Sequence, residues 1–384
     1  MANIQTLNKI AAVGLNEFGA GYTVGDSVEN PDAILVRSAV MHDMTFPASL
    51  KAIGRAGAGV NNIPVERCAA EGIVVFNTPG ANANGVKELT IAALMLASRD
   101  IVGGVQWAST LKEDVAKSVE KGKSQFAGHE IEGKTLGVIG LGAIGGMVAN
   151  AAKSLGMNVI GCDPYITIEG AWHLSRAIQK ASDYDEIFEN ADYITLHVPA
   201  TPQTKNMINA ESIAKMKDGV RIINLARADL VNAADLKEAL AAGKVASYVT
   251  DFPTEEILGV KGIVAIPHLG ASTEESEDNC AVMAARELKE YLENGNIKNS
   301  VNYPNLQLPH TAAHRIIVLH RNIPNMIACV TGMLAEQNIN IENMVNASKG
   351  DYAGTIIETN SPVDNALLTK FTGIDGVIRV IKLA

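Results

Sequence analysis

Short apolar runs alternate with stretches of helical periodicity over the first 270 residues, the pattern of repeated strand–helix–strand units around parallel sheets. Ala33 to Val36, Lys51 to Ile53 and Ile73 to Phe76 predict the strands of a first α/β domain, with a helix over Val65 to Glu71 between the last two. Asn84 to Gly103 carries Ala and Leu at helical spacing, ends in a Gly pair, and predicts one long helix. A second series of strands follows at 135–139, 158–162, 193–197, 220–225, 247–250 and 264–266, which suits one doubly wound sheet. Glu274 to Asn294 predicts a helix, and the polar, Pro-containing stretch 299–309 predicts a linker.

Beyond that stretch the pattern changes. It gives a strand (314–320), a helix (326–337), two strands (341–347 and 354–359), a helix (365–371) and a strand (377–383), the ferredoxin-like βαββαβ order. The expected class is therefore α/β: two doubly wound parallel-sheet, Rossmann-like domains plus a C-terminal ferredoxin-like module. The expected boundaries are 1–82 with 270–305 for a discontinuous first domain, 83–269 for the second and 312–384 for the third.

Composition narrows the partners. Among 384 residues, 32 Lys and Arg face 42 Asp and Glu, a formal charge of -10, and no basic cluster offers the concentrated positive charge that nucleic acid or a membrane surface requires. The apolar runs, such as Ile91 to Ala97, stop short of a membrane span, and Met1 to Leu15 lacks the regions of a secretory signal, so a cytoplasmic protein is expected. Cys68, Cys162, Cys280 and Cys329 are too dispersed for a Cys-x-x-Cys pair or a disulfide framework. His310 and His314 share a helical spacing but lack the Glu of a His-Glu-x-x-His site, so no metal is expected.

The strongest motif is Gly140-Leu141-Gly142-Ala143-Ile144-Gly145, which follows a predicted strand and opens a predicted helix. The first Gly permits a tight turn, the second lets backbone approach a pyrophosphate, and the third allows close packing, with the helix N-terminus facing phosphate. Asp163 ends the next strand, 18 residues after Gly145. A carboxylate there accepts from a ribose 2'-hydroxyl and repels a 2'-phosphate, which favours NAD over NADP. Arg227, Glu255 and His268 lie near the ends of later strands of the same sheet, where ligands of open parallel sheets bind. They can supply an anion clamp, a partner for imidazole and a general acid/base.

These segments, with Gly54 to Ile63, Asn77 to Leu89, Gly133 to Gly145 and Leu196 to Thr201, resemble the D-isomer-specific 2-hydroxyacid dehydrogenases in the family's order over most of residues 33–290. The resemblance implies that His268 takes the C2 hydroxyl proton as hydride leaves for nicotinamide, that Glu255 pairs with His268, and that Arg227 holds the substrate carboxylate and carbonyl oxygen. It adds His197, Val198, Pro199, Leu225, Ala226, Asp251 and Gly270 to the NAD-binding set. Two departures stand out. The segment from Asp251 is one residue short, which leaves Glu256 a rival to Glu255, and Ala228 stands where the family commonly has Gly.

Substrate residues implied by the resemblance are Asn82, the amides near Gly59 and Val60, and Arg37 for a phosphate, with Lys121 and Lys123 as looser phosphate contacts. The substrate expected is a small anion, 3-phospho-D-glycerate; the alternatives are another D-2-hydroxy acid, or a non-catalytic NAD sensor of corepressor type. The tail resembles ACT modules, whose matching residues here are His320, Asn322 and Asn340 and whose implied effector is L-serine; the alternative is a dimerisation module that binds nothing. Asn325 replaces a frequent Gly after Pro324. The long segment after Asn84 resembles a dimerising arm, so a homo-oligomer, dimer or tetramer, is expected.

Overall fold

A computed structural model of the protein describes residues 2–312 and 314–383. The chain divides into two compact units, residues 1–82 with 274–384 and residues 83–273. Among the described residues there are three sheets.

The first unit opens with β1 (Ala2–Leu7), β2 (Tyr22–Gly25), β3 (Ala33–Val36), β4 (Ala52–Arg55) and β5 (Val74–Phe76), paired in parallel in the order β2-β1-β3-β4-β5. β3 and β5 are buried along their whole length, as continuous apolar runs covered on both faces should be. The hydropathy pattern misses β1 and β2, and the reason is burial: in β1 only Ile4 is fully buried, and β2 is an edge strand with no buried residue. The Glu274–Asn294 helix packs Ala281, Ala284, Ala285, Leu288 and Tyr291 into this core.

The stretch expected to be a linker is part of the fold. Asn302 takes the Val75 amide at 2.9 Å and donates to the Ile73 carbonyl at 2.9 Å, which fastens the segment alongside β5. Tyr303 and Leu306 have no exposed surface. Apolar residues spaced singly among Asn, Ser and Pro look like a solvated chain in sequence, although each fills the core.

The third sheet is β13 (His314–Arg321), β14 (Ile341–Lys349), β15 (Tyr352–Thr359) and β16 (Val377–Leu383), antiparallel in the order β14-β15-β13-β16. Strand alternation separates its two faces. Ile316 and Val318 pack under the Met326–Glu336 and Asn365–Thr372 helices with Leu334 and Phe371. Ile317, Leu319, Ile356 and Ile381 point the other way, into the cluster that holds Tyr291, Tyr303 and Leu306. This sheet thus shares a core with the first sheet, in one compact unit. A fully buried Arg315–Glu358 pair, 2.9 Å apart, lies at the seam, and Arg315 also donates to the carbonyls of Asn294, Leu308 and Pro309.

The second unit carries β6 (Thr135–Ile139), β7 (Asn158–Cys162), β8 (Gln179–Lys180), β9 (Tyr193–Leu196), β10 (Val220–Asn224), β11 (Val245–Thr250) and β12 (Ile263–Ala265), all parallel. Their order, β12-β11-β10-β9-β6-β7-β8, reverses direction between β6 and β9, the switch point at which such sheets bind ligands. β8 adds a seventh strand to the six expected; two exposed polar residues give no hydropathy signal. The long predicted helix is two helices, Ala83–Ser98 and Ile101–Ala108, because Asp100 turns its carboxylate onto the Gly103 amide at 2.9 Å and starts a new helix.

Candidate active site

Gly140 follows β6 with φ +89°, a conformation that other L-residues rarely adopt, and Gly142 caps the Ala143–Ser154 helix. A side chain at Gly145 would place its Cβ 1.9 Å from the Gly140 carbonyl oxygen, so the helix can meet the turn only with glycine there. Around Gly142 the space is open to 4 Å, which leaves backbone amides and the first helical residues, Ala143 and Ile144, accessible to a phosphate. Asp163 fastens this turn. Its carboxylate accepts from the Leu141 amide at 2.8 Å and the Tyr165 amide at 2.9 Å, and each oxygen keeps a lone pair for a hydroxyl.

His197 packs behind the turn, next to Val198 and ahead of the exposed Pro199, with Nε2 2.9 Å from Thr195 Oγ1. Burial pushes the His197 ring down to about 4, so it stays neutral against the phosphate-facing turn.

Later strands deliver the other groups. Buried Asn224, the last residue of β10, accepts from the Ala226 and Arg227 amides at 3.1 and 3.3 Å and donates to the Arg227 carbonyl at 2.8 Å. Leu225 is buried beneath, so the backbone that presents Arg227 is fixed from below. After β11, Asp251 is 1% exposed; one carboxylate oxygen accepts from the Gly270 amide at 3.1 Å, while Oδ1 is buried with no hydrogen-bond partner. Burial raises the Asp251 carboxyl against the opposing pull of that amide, His268 and Arg227. The next residue, Phe252, meets both candidate groups: its ring centroid is 4.5 Å from the His268 ring and 5.7 Å from the Arg227 guanidinium.

Asn224 and Phe252 receive no role from the sequence pattern. A buried Asn beside a strand-end Arg must find backbone partners, which is the signal available for the first. Phe252 gave none. Glu255 and Glu256 are exposed and line, with Asp229, Asn232 and Tyr248, a cavity of about 470 Å³. Among the described residues no hydrogen bond or ion pair joins either glutamate to His268, so the rivalry between the two stands.

The remaining expected residues lie in the first unit or on outlying segments. Arg37 is paired with Glu277 at 2.7 Å, which occupies the guanidinium expected to meet a phosphate. Gly59 and Val60 lie in the turn after β4, which is held by Asn77 Nδ2 donating to the Ala58 carbonyl at 2.6 Å and by the Thr78 amide donating to the Gly57 carbonyl at 3.1 Å. Asn82 is half-buried just before the Ala83–Ser98 helix. In the second unit, Lys121 is in the Val115–Gly122 helix and Lys123 pairs with Glu120.

In the tail, His320 is buried with both ring nitrogens engaged, Nδ1 by the Arg321 carbonyl at 2.8 Å and Nε2 by Thr355 Oγ1 at 3.0 Å. Asn322 donates to the Gly350 carbonyl and Asn340 lies by Asn360, so within this chain the three do not converge. Asn325 adopts φ +67°, the left-handed conformation that the frequent Gly would take and that Asn tolerates best among other residues. Among the described residues no helix is long and apolar enough to cross a membrane, and no group of three His, Cys, Asp or Glu side chains could hold a metal ion.

The chain is similar to known proteins in sequence and in fold. The sequence model described as D-isomer specific 2-hydroxyacid dehydrogenase, NAD binding domain, matches residues 91–270. A D-3-phosphoglycerate dehydrogenase of Methanocaldococcus jannaschii is 40% identical over 306 residues, 77% of this chain and 56% of the relative. One from Synechocystis is 34% identical over 396 residues, 97% of this chain and 69% of the relative. The NAD+-bound 3-phosphoglycerate dehydrogenase of Entamoeba histolytica superposes with a TM-score of 0.61 at 29% identity, covering 79% of this chain and 99% of that one. The chain spans about half the length of several curated relatives it matches.

Proposed function

The chain belongs to the D-isomer-specific 2-hydroxyacid dehydrogenase family, and from that membership we propose that it oxidises 3-phospho-D-glycerate to 3-phosphooxypyruvate with NAD, a step of L-serine biosynthesis. The observation that carries the reading is the pairing of Arg227 and His268 on one ring, Phe252, beside Asp251 with its unpartnered oxygen. The residues present suit the cofactor: the open Gly142 turn suits a pyrophosphate, Asp163 a ribose hydroxyl, and the orphaned Asp251 Oδ1 an amide donor. NAD, when bound, supplies the acceptor for the hydride that leaves C2.

His268 accepts the proton of the C2 hydroxyl as the C2–H bond breaks and the C2–O double bond forms. In the reverse direction the same ring returns that proton to the new hydroxyl. Arg227 holds the carboxylate and the C2 oxygen, a fixed positive charge where electron density collects. Glu255 is assigned to orient the His268 ring, with Glu256 as the alternative. The Gly59–Val60 turn and Asn82 are assigned to the substrate carboxylate side, and Arg37 to the phosphate. The tail is assigned a regulatory role, with L-serine as effector, and the enzyme is assigned to a homo-oligomer.

A second reading, a dehydrogenase for another D-2-hydroxy acid, is favoured by one observation: Glu277 already neutralises Arg37. NADH consumption separates the readings when 3-phosphooxypyruvate is set against other 2-keto acids, including 2-oxoglutarate. The expected result is turnover of the phosphorylated acid and loss of at least about 100-fold in kcat for His268→Ala, the range of one general acid/base. Turnover that persists in that variant sinks the assignment of His268. NADH consumption unchanged at millimolar L-serine removes the effector role.

A further inference from the structure

The Glu274–Asn294 helix carries a carboxyl where a helix buried on one face would carry a hydrocarbon. Glu287 is 8% exposed, flanked by the core residues Ala284, Ala285, Leu288 and Tyr291. Its Oε1 accepts from Asn299 Nδ2 at 2.7 Å; its Oε2 is buried and has no hydrogen-bond partner. An unmatched buried carboxyl weakens a fold, so its presence in the core needs a function elsewhere.

Its one partner leads to the substrate turn. Asn299 is held in a left-handed conformation, φ +61°, and its carbonyl accepts from the Asn77 amide at 3.4 Å. The Asn77 side chain donates to the Ala58 carbonyl at 2.6 Å, in the same turn as Gly59 and Val60. The next residue repeats the clamp, with the Thr78 amide on the Gly57 carbonyl. Glu287, Asn299, Asn77 and Ala58 therefore form a continuous hydrogen-bonded path from a core carboxyl to the 57–60 turn, all within the first unit.

We propose that Glu287 is a positioning residue that sets the Gly59–Val60 turn through Asn299 and Asn77. The inference rests on the assignment of that turn to substrate. Burial pushes the Glu287 carboxyl up to about 8, against the Asn299 amide and the charge of Lys298. Beside it lies a cavity of about 850 Å³, whose charged lining is Glu17, Arg286, Lys289, Glu290 and Glu293 besides Lys298. Glu17 and Arg286 neutralise each other at 3.0 Å, Glu290 accepts from Asn294 and Asn296, and Glu293 from Tyr22. Both protonation states accept from Asn299, the ionised one more strongly, because that hydrogen bond pulls the carboxyl down against burial.

The sign follows from linkage. A carboxyl whose folded value lies near 8 and whose ordinary value is 4.5 keeps its proton in the folded state after the unfolded chain has lost it, so the fold weakens as pH rises from about 4.5 to about 8 and levels off above.

The test is KM for the 2-hydroxy acid in wild type, Glu287→Gln and Glu287→Leu, with amide hydrogen exchange at residues 57–60 in the same proteins. Glu287→Leu should raise KM about fivefold, the equivalent of one neutral hydrogen bond, with kcat little changed. Glu287→Gln, which keeps an acceptor for Asn299, should retain the wild-type KM. Exchange at 57–60 should accelerate in Glu287→Leu and not in Glu287→Gln. A wild-type KM and wild-type exchange at 57–60 in Glu287→Leu overturn the proposal. If no 2-hydroxy acid is turned over, the assigned function fails, and the exchange measurement still decides the relay by itself.

Discussion

At the scale of single residues, what could be read in advance was what local sterics dictate. The glycines of the β6 turn announce themselves because no other residue fits: a Cβ at 145 would lie 1.9 Å from the Gly140 carbonyl oxygen, and backbone cannot yield as a side-chain tip can. Gly145→Ala should therefore force the helix away from the turn, costing about 1–3 kcal/mol as overpacking does, and should weaken NAD binding more than it weakens the fold. Urea midpoints and NADH fluorescence titration check the two effects separately. Asn325 follows the same logic, since its φ of +67° explains why an amide can stand where glycine is frequent. Contacts made across the fold were not legible. Phe252 meets Arg227 and His268 because β10, β11 and the segment after β12 end side by side, and no spacing in the chain encodes that.

At the scale of elements, legibility follows burial. β3 and β5, buried throughout, are continuous apolar runs; β1, β2 and β8 lie toward sheet edges with few buried residues and leave no such trace. The 299–309 stretch is the instructive failure, because its polar residues are themselves structural. Asn302 and Ser300 tie it to β5 and to its own next turn, and Tyr303 reaches the Ala69 carbonyl at 2.7 Å. A linker tolerates truncation of its apolar side chains, but a core segment does not. Leu306→Ala should cost about 2–5 kcal/mol, the range for a leucine removed from a packed interior, whereas a solvated linker would lose less than about 0.5 kcal/mol. Thermal or urea unfolding distinguishes these outcomes.

At the scale of the molecule, the tail is the question. Its βαββαβ order was visible in sequence because each strand and helix is locally periodic, yet the same periodicity marks Ile317, Leu319, Ile356 and Ile381 only as apolar, without saying what covers them. The first sheet's core covers them, and the Arg315–Glu358 pair closes the seam where the Glu274–Asn294 helix ends. Burial alone would raise the Glu358 carboxyl, but donors from Thr311, Asn343 and Ala312 outweigh it and hold it at about 2. A depressed carboxyl stabilises the fold above its ordinary value of 4.5 and loses that contribution as pH falls toward 2. The tail should then unfold with the first unit in one transition. Glu358→Gln leaves Arg315 with no charge to oppose it among the described residues, so it should lower the stability of both by about 3–5 kcal/mol at pH 7 and by less at pH 3. Hydrogen exchange resolves the coupling: in the variant, β4 and β15 should lose protection together, while β6 and β10 in the second unit keep theirs. Loss confined to β13–β16 would mean that the tail folds on its own and that the shared apolar face contributes little to the first unit.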